Sequence, residues 1–218
     1  MPDALYRDTA RGELESGAMV RPSFDPRPTT LAGTHVVLTP LDRSHAADLF
    51  AAGHDDATWT YMPRPKLRSV EDAESMIRQA LIECDAGGEA AFAILEAASG
   101  MAVGSTRFLD IQRAHRALEI GWTWIGASWQ RTAINTECKL LLLGHAFDGH
   151  GAHRVTLKTD ARNLRSQRAI ERIGGVREGV LRRHRVCWDG SVRDSVYYGI
   201  VDGERPQVGA RLEGMLRR

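Results

Sequence analysis

One carboxylate, Glu119, stands in the run Leu118-Glu119-Ile120-Gly121-Trp122-Thr123-Trp124-Ile125. This run passes through Gly126 and the polar stretch Trp129-Gln130-Arg131-Thr132-Ala133-Ile134-Asn135-Thr136 into a leucine-rich segment. Alternation predicts a strand with Leu118, Ile120, Trp122 and Trp124 on a core face and Glu119, Gly121 and Thr123 on the other. From Asn135 or Thr136 onward, Glu137, Lys139, the leucines 140–143, Ala146 and Phe147 favour a helix, which is expected to begin near Asn135. The first N–H groups of a helix lack internal partners and carry the positive end of its dipole, so a phosphate placed there meets donors and favourable charge together. The same pattern fits an ordinary strand-to-helix connection capped by Asn135 or Thr136. This segment alone leaves both readings open.

Further chemistry-bearing residues lie downstream. Ser166, Ala169, Ile170 and Ile173 recur at i, i+3, i+4 and i+7, which turns the Ser166 hydroxyl toward the apolar side of a helix. His145, His150 and His153 straddle a helix end and two glycines without a cysteine or carboxylate set of ligand spacing, so no metal site is predicted. Cys84, Cys138 and Cys187 are isolated, which argues against a disulfide framework or a zinc site. Neither a Gly-x-Gly-x-x-Gly nor a Walker-type loop occurs, which disfavours dinucleotide redox and nucleoside triphosphate chemistry.

Positioning these groups requires a mixed sheet. His35 to Pro40 is predicted as a strand, Asp42 to Ala52 as a small helix, and 53–68 as irregular. Ser69 and Asp72 have capping-box spacing ahead of Val70, Ala73, Ile77, Ala80, Leu81 and Cys84, a helix ending before Gly87-Gly88. Ala90 to Glu96 and Ala102 to Leu109 form a hairpin around Ser99-Gly100, followed by the Glu119 strand. Arg154 to Lys158 is a strand, and Asn163 to Ile173 a helix closed by Gly174. Val176 to Trp188 and Val192 to Val201 flank the turn Asp189-Gly190, and 204–218 reads as a terminal helix. The central strand–helix–strand crossover demands a parallel pair inside an otherwise antiparallel sheet, giving an α/β fold with helices on both faces.

With 218 residues, 43% of them hydrophobic, the chain can bury one sizeable core, expected over 31–218. Residues 1–30 mix charges, glycines and prolines without apolar periodicity and read as an arm or an early upstream start, with Met19 as a second start. A net charge of +1 with basic residues spread along the chain gives no electrostatic grip on nucleic acid. There is no transmembrane-length apolar run or signal-type segment, and the unpaired thiols fit a reducing compartment, so a cytoplasmic protein without membrane partners is expected.

The runs Glu119-Ile120-Gly121-Trp122, Asn135-Thr136-Glu137, Asp160-Ala161-Arg162-Asn163-Leu164-Arg165-Ser166, Ala169 to Gly174 and Glu178 to Arg182 occur in this order of elements. Together they resemble the GCN5-related N-acetyltransferase superfamily, most nearly its RimJ/RimL-type branch, over about residues 31–205. The resemblance implies a strongly twisted mixed sheet with a central parallel pair, and acetyl-CoA as co-substrate for a primary amine, either a protein N-terminus or a small molecule. It implies a pyrophosphate turn at Gln130-Arg131-Thr132-Ala133-Ile134-Asn135, where Ala133 and Asn135 replace the glycine and the small residue of the family pattern. The backbone at Trp124, Ile125 and Gly126 would align pantetheine, Thr136 would belong to the helix start, and Asn163, Ser166 and Arg168 would lie beside the cofactor, with Ser166 donating to the departing thiolate. Glu119 is the first candidate for the proton acceptor and His184 the second, while Trp59, Tyr61 and Met62 would shape the acceptor pocket. The altered phosphate turn also motivates a non-catalytic acyl-CoA-binding regulator. Relatives commonly form homodimers.

Overall fold

Eight strands and six α-helices alternate along residues 23–217, the part of the chain that the computed structural model describes. They are β1 (Leu31–Ala32), β2 (Val36–Pro40), α1 (Ala46–Ala52), α2 (Asp56–Trp59), α3 (Val70–Asp85), β3 (Ala90–Glu96), β4 (Ala102–Gln112) and β5 (Ala117–Ile125). There follow α4 (Ala133–Gly144), β6 (Arg154–Asp160), α5 (Leu164–Arg172), β7 (Val176–Val186), β8 (Val192–Val201) and α6 (Arg205–Leu216). The strands form one sheet in the order β1-β2-β3-β4-β5-β6-β8-β7. Only β5 and β6 pair in parallel, as a strand–helix–strand crossover through α4 requires.

Local signals account for most boundaries. Ser69 Oγ accepts the Asp72 N–H (3.3 Å), and α3 then buries Ala73, Met76, Ile77 and Ala80 at helical spacing. Gly174 ends the α5 segment at φ 105° and Gly190 turns the β7–β8 hairpin at φ 80°, a left-handed backbone that favours glycine. The segment expected to be irregular contains the short α2, capped by Asp55, and the two-residue β1 carried no periodic signal at all.

Two apolar layers sandwich the sheet. On one face α4, α5 and α6 place Ile134, Cys138, Leu142, Ile170, Ile173, Val208 and Leu212 against Phe92, Phe108, Leu118, Ile120, Val155, Leu157, Val196 and Tyr198. On the other, α1 and α3 pack Leu49, Ala73, Ile77 and Ala80 over Ala91, Ala93, Ala102 and Trp124. The expected arm lies mostly outside the described residues, but Phe24 is buried in the first of these layers.

The strict alternation expected along β5 is broken. Trp122 adopts φ 51°, and the β4–β5 register shifts between Ser105 and Arg107, so a bulge reverses the sense of every residue beyond it. Leu118 and Ile120 therefore face α4, whereas Trp124 faces α1 and α3. Thr123, expected beside Glu119, instead lies on the α4 side, where it accepts a hydrogen bond from Lys139 Nζ (2.8 Å). Trp122 belongs to neither core; the Arg107 guanidinium stands 4.8 Å from its ring centroid.

Candidate functional site

The parallel ladder between β5 and β6 is short. It joins Ala117 to Arg154, Leu118 to Val155 and Glu119 to Thr156, after which the strands diverge and their C-terminal halves share no pairing. Backbone groups of β5 that would bond a neighbouring strand are thereby turned toward a gap. Gly126 N–H donates to Val103 O (2.8 Å) on the opposite side, so the Gly126 amide is engaged and only its predecessors can serve the gap. By alternation the Ile125 N–H points away from β4, toward the opening.

The turn after β5 leads straight onto α4. The helix begins at Ala133 with Thr132 as its N-cap, two residues before the expected start, because Thr132 Oγ1 accepts the Ile134 N–H (3.3 Å). Among the described residues no acceptor takes the first-turn N–H groups of Ala133 and Asn135. The left-handed residue of the turn is Arg131, at φ 64°, while Ala133 and Asn135 have ordinary negative φ. The two replaced family positions therefore need no glycine for conformation. Gln130 holds the turn in place: its Nε2 donates to Ile125 O (2.9 Å), and its Oε1 accepts from Arg165 Nη1 of α5 (2.8 Å).

Gly126 is required by close approach. A Cβ there would stand 2.6 Å from Ala52 O and 2.9 Å from the Trp129 ring. Gly126→Ala is expected to cost about 1–3 kcal/mol and to displace the turn. Urea denaturation reads the first effect, and wild-type stability in this variant would show that the approach is not tight.

On the face of β5, β6 and β8 opposite α4–α6, polar side chains replace apolar ones. Glu119 is 5% exposed and receives a hydrogen-bonded ion pair from Lys158 Nζ (2.6 Å). Lys158 Nζ lies 5.7 Å from the Tyr197 ring centroid, and Tyr197 OH is 3.4 Å from His184 Nε2. His184 Nδ1 contacts Ser195 Oγ (3.0 Å). Burial, together with the positive charges of Arg185, Lys158 and Arg193, holds the imidazole pKa below its ordinary value. Next along β6, Asp160 is buried and takes Arg162 Nε (3.0 Å), Nη2 (2.7 Å) and the Arg162 N–H (2.8 Å). These bonds lower its pKa against the opposing effect of burial.

A cavity of about 560 Å³ adjoins this surface at Asp160 and Arg162. Trp59, Tyr61 and Met62 line one wall, the hairpin tip around Cys187, Trp188 and Asp189 another, and Asp160 with Arg162 the end of β6. Trp59 is tilted against Trp124 (4.9 Å between centroids), so the cavity wall is continuous with the end of β5.

The predicted residues thus divide. Glu119 and His184 share one polar surface; Trp59, Tyr61 and Met62 line the cavity, which meets that surface at Asp160 and is lined by neither Glu119 nor His184. Ser166 is half-buried on the first turn of α5, where its N–H is capped by Asn163 Oδ1 (3.0 Å) and its hydroxyl has no protein partner among the described residues. Arg168 is exposed. His153 pairs with Asp202 (2.9 Å), and His145 stacks on Phe108 with His150 at its edge. Sequence reasoning passed over Lys158, Asp160, Tyr197 and Arg193. Alternation along β6 and β8 would have put them on one face, but only the sheet order shows that this face continues that of Glu119.

A diverging parallel pair beside a free helix N-terminus narrows the fold family, and comparison decides it. Residues 35–176 match the acetyltransferase (GNAT) domain. The chain belongs to the GNAT family. It is an acetyltransferase, 25% identical to the uncharacterized N-acetyltransferase YoaA of Bacillus subtilis over 76% of this chain and 93% of that protein. A GCN5-related N-acetyltransferase from Brucella melitensis superposes with a TM-score of 0.84 at 27% identity, covering 90% of this chain and 89% of that one. Mycobacterium smegmatis RimJ, solved in complex with CoA-disulfide, shares the fold at a TM-score of 0.76 and 24% identity, over 88% of this chain and 97% of that one. Among the described residues of this acetyltransferase, no helix is long and apolar enough to cross a membrane.

Proposed function

We propose that this acetyltransferase moves an acetyl group from acetyl-CoA to a primary amine held in the cavity beside His184. The observation that carries the reading is the end of the β5–β6 ladder at Glu119 and Thr156, beyond which the diverging strands leave a slot next to the first turn of α4, whose Ala133 and Asn135 N–H groups have no acceptor among the described residues. Ala133 and Asn135 N–H would grip the pyrophosphate, the Ile125 N–H would meet the acetyl carbonyl, and Gln130 would hold the turn against β5 and α5. A CoA-disulfide bound to RimJ, which has the same fold, supports this placement.

Acetyl-CoA supplies an acyl group activated as a thioester. His184, kept neutral by its surroundings, takes the proton lost by the attacking amine, directly or through one water. Glu119 is buried and engaged by Lys158, so its part is to hold Lys158 and, beside it, Tyr197. Ser166, whose hydroxyl is uncommitted, donates to the sulfur that departs. The regulator reading loses its motive, because the replaced turn positions have helical backbone that alanine and asparagine adopt freely.

The test is thiol release from acetyl-CoA across a panel of primary amines, with calorimetric titration of CoA alongside. Amine-dependent release and saturable CoA binding are expected, and Ser166→Ala should reduce turnover more than affinity. Absence of CoA binding to the folded protein would sink the reading.

A further inference from the structure

Arg193 of β8 is 8% exposed, yet its side chain makes no hydrogen bond or ion pair with the described residues, and its Nε is buried without a partner. A guanidinium nitrogen withdrawn from water without an acceptor is costly, and the remaining N–H groups of this nearly buried side chain are open to an acceptor from outside the chain. The neighbouring carboxylates are already engaged. Glu119 is taken by Lys158, Asp160 by Arg162, and Asp194 by the Arg183 N–H (2.7 Å).

The side chain belongs to the acceptor surface. Arg193, Ser195 and Tyr197 alternate on one face of β8, the face that carries His184 against Ser195. Ser191, one alternation earlier, lines the cavity. Arg193 itself stands beside the cavity rather than in its lining, close enough for its charge to act on Asp160 at the cavity end, on His184 and on Tyr197.

We propose that Arg193 is an anion-binding residue of the acceptor site, and that the acceptor is an amine carrying a carboxylate or a phosphate. A planar fork of N–H donors matches either oxyanion two bonds at a time. The anion bound at Arg193 fixes the amine end of the same molecule near His184. This specificity rests on the acetyl-transfer reading above.

The experiment pairs each anionic amine with a neutral counterpart: alanine with alaninamide, and phosphoethanolamine with ethanolamine. Thiol release is measured for the wild type, Arg193→Gln and Arg193→Lys, and calorimetry follows binding of the same compounds to the CoA-loaded protein. The wild type should favour an anionic member, and Arg193→Gln should erode that preference, read as the ratio of KM values, by about ten- to a hundredfold. Arg193→Lys should fall between, which a purely structural role would not produce, and matching urea midpoints check that the variants are folded. The preferred pair distinguishes carboxylate from phosphate. Loss of turnover with every amine would remove the acetyl-transfer reading, while calorimetry would still read the anion preference. Equal binding of anionic and neutral members, or a preference untouched in Arg193→Gln, overturns the proposal.

Discussion

Replacing His184 with glutamine should lower kcat/KM at neutral pH by about 10²–10⁴-fold, the usual contribution of a positioned general base. Glutamine keeps polar contacts to Ser195 and Tyr197 but cannot take a proton, so the loss falls on turnover more than on acceptor KM. The pH dependence gives the sign. On the proposed mechanism the active form is neutral imidazole, and burial with Arg185, Lys158 and Arg193 lowers the pKa of the group. Activity of the wild type should stay level as pH falls through the ordinary imidazole value of about 6.5 and decline only below it. The glutamine variant should lose that acidic limb. A limb that persists unchanged would move the proton acceptor elsewhere, with Glu119 as the next residue to replace.

Glu137→Ala should destabilise the fold by about 3–5 kcal/mol, because a buried acceptor serving several donors is removed at once. The Glu137 carboxylate accepts the N–H groups of Thr34 (2.9 Å), His35 (2.6 Å) and Val36 (2.7 Å), tying the first turns of α4 to the start of β2. Gly33 makes room for it: a Cβ there would lie 2.4 Å from Glu137 Cδ. Glu137→Gln retains one accepting oxygen but points an amide N–H at the other donors, so it should recover only part of the loss. Equilibrium urea denaturation measures both. A change below about 1 kcal/mol for the alanine variant would mean that water replaces the carboxylate without penalty.

Part of what the proposed site rests on was legible before the fold was known. The polar turn into a helix leaves first-turn N–H groups without internal partners whether the helix starts at Ala133 or at Asn135, which is what the proposed phosphate site needs. Trp59, Tyr61 and Met62 were placed by resemblance and do line the cavity. The partner of Glu119 was not legible, because nothing near it in sequence announces that Lys158, thirty-nine residues on, bonds to it. Trp122 misled for a related reason: alternation assumes an unbroken strand, and one residue at positive φ reverses the faces of Thr123 and Trp124.

By itself the sequence determined the order of the longer elements, though not β1 or α2, together with the parallel crossover, the Asp189-Gly190 hairpin and the helix that follows Ser69. Those depend on turn chemistry and apolar periods confined to a few neighbouring residues. Tertiary structure alone decided which polar groups meet. The divergence of β5 from β6, the Glu119–Lys158 pair, the contact of His184 with Tyr197 and the isolation of Arg193 all arise from strand order and register. Register is a property of paired strands, set by packing over the whole sheet, and no single segment encodes it.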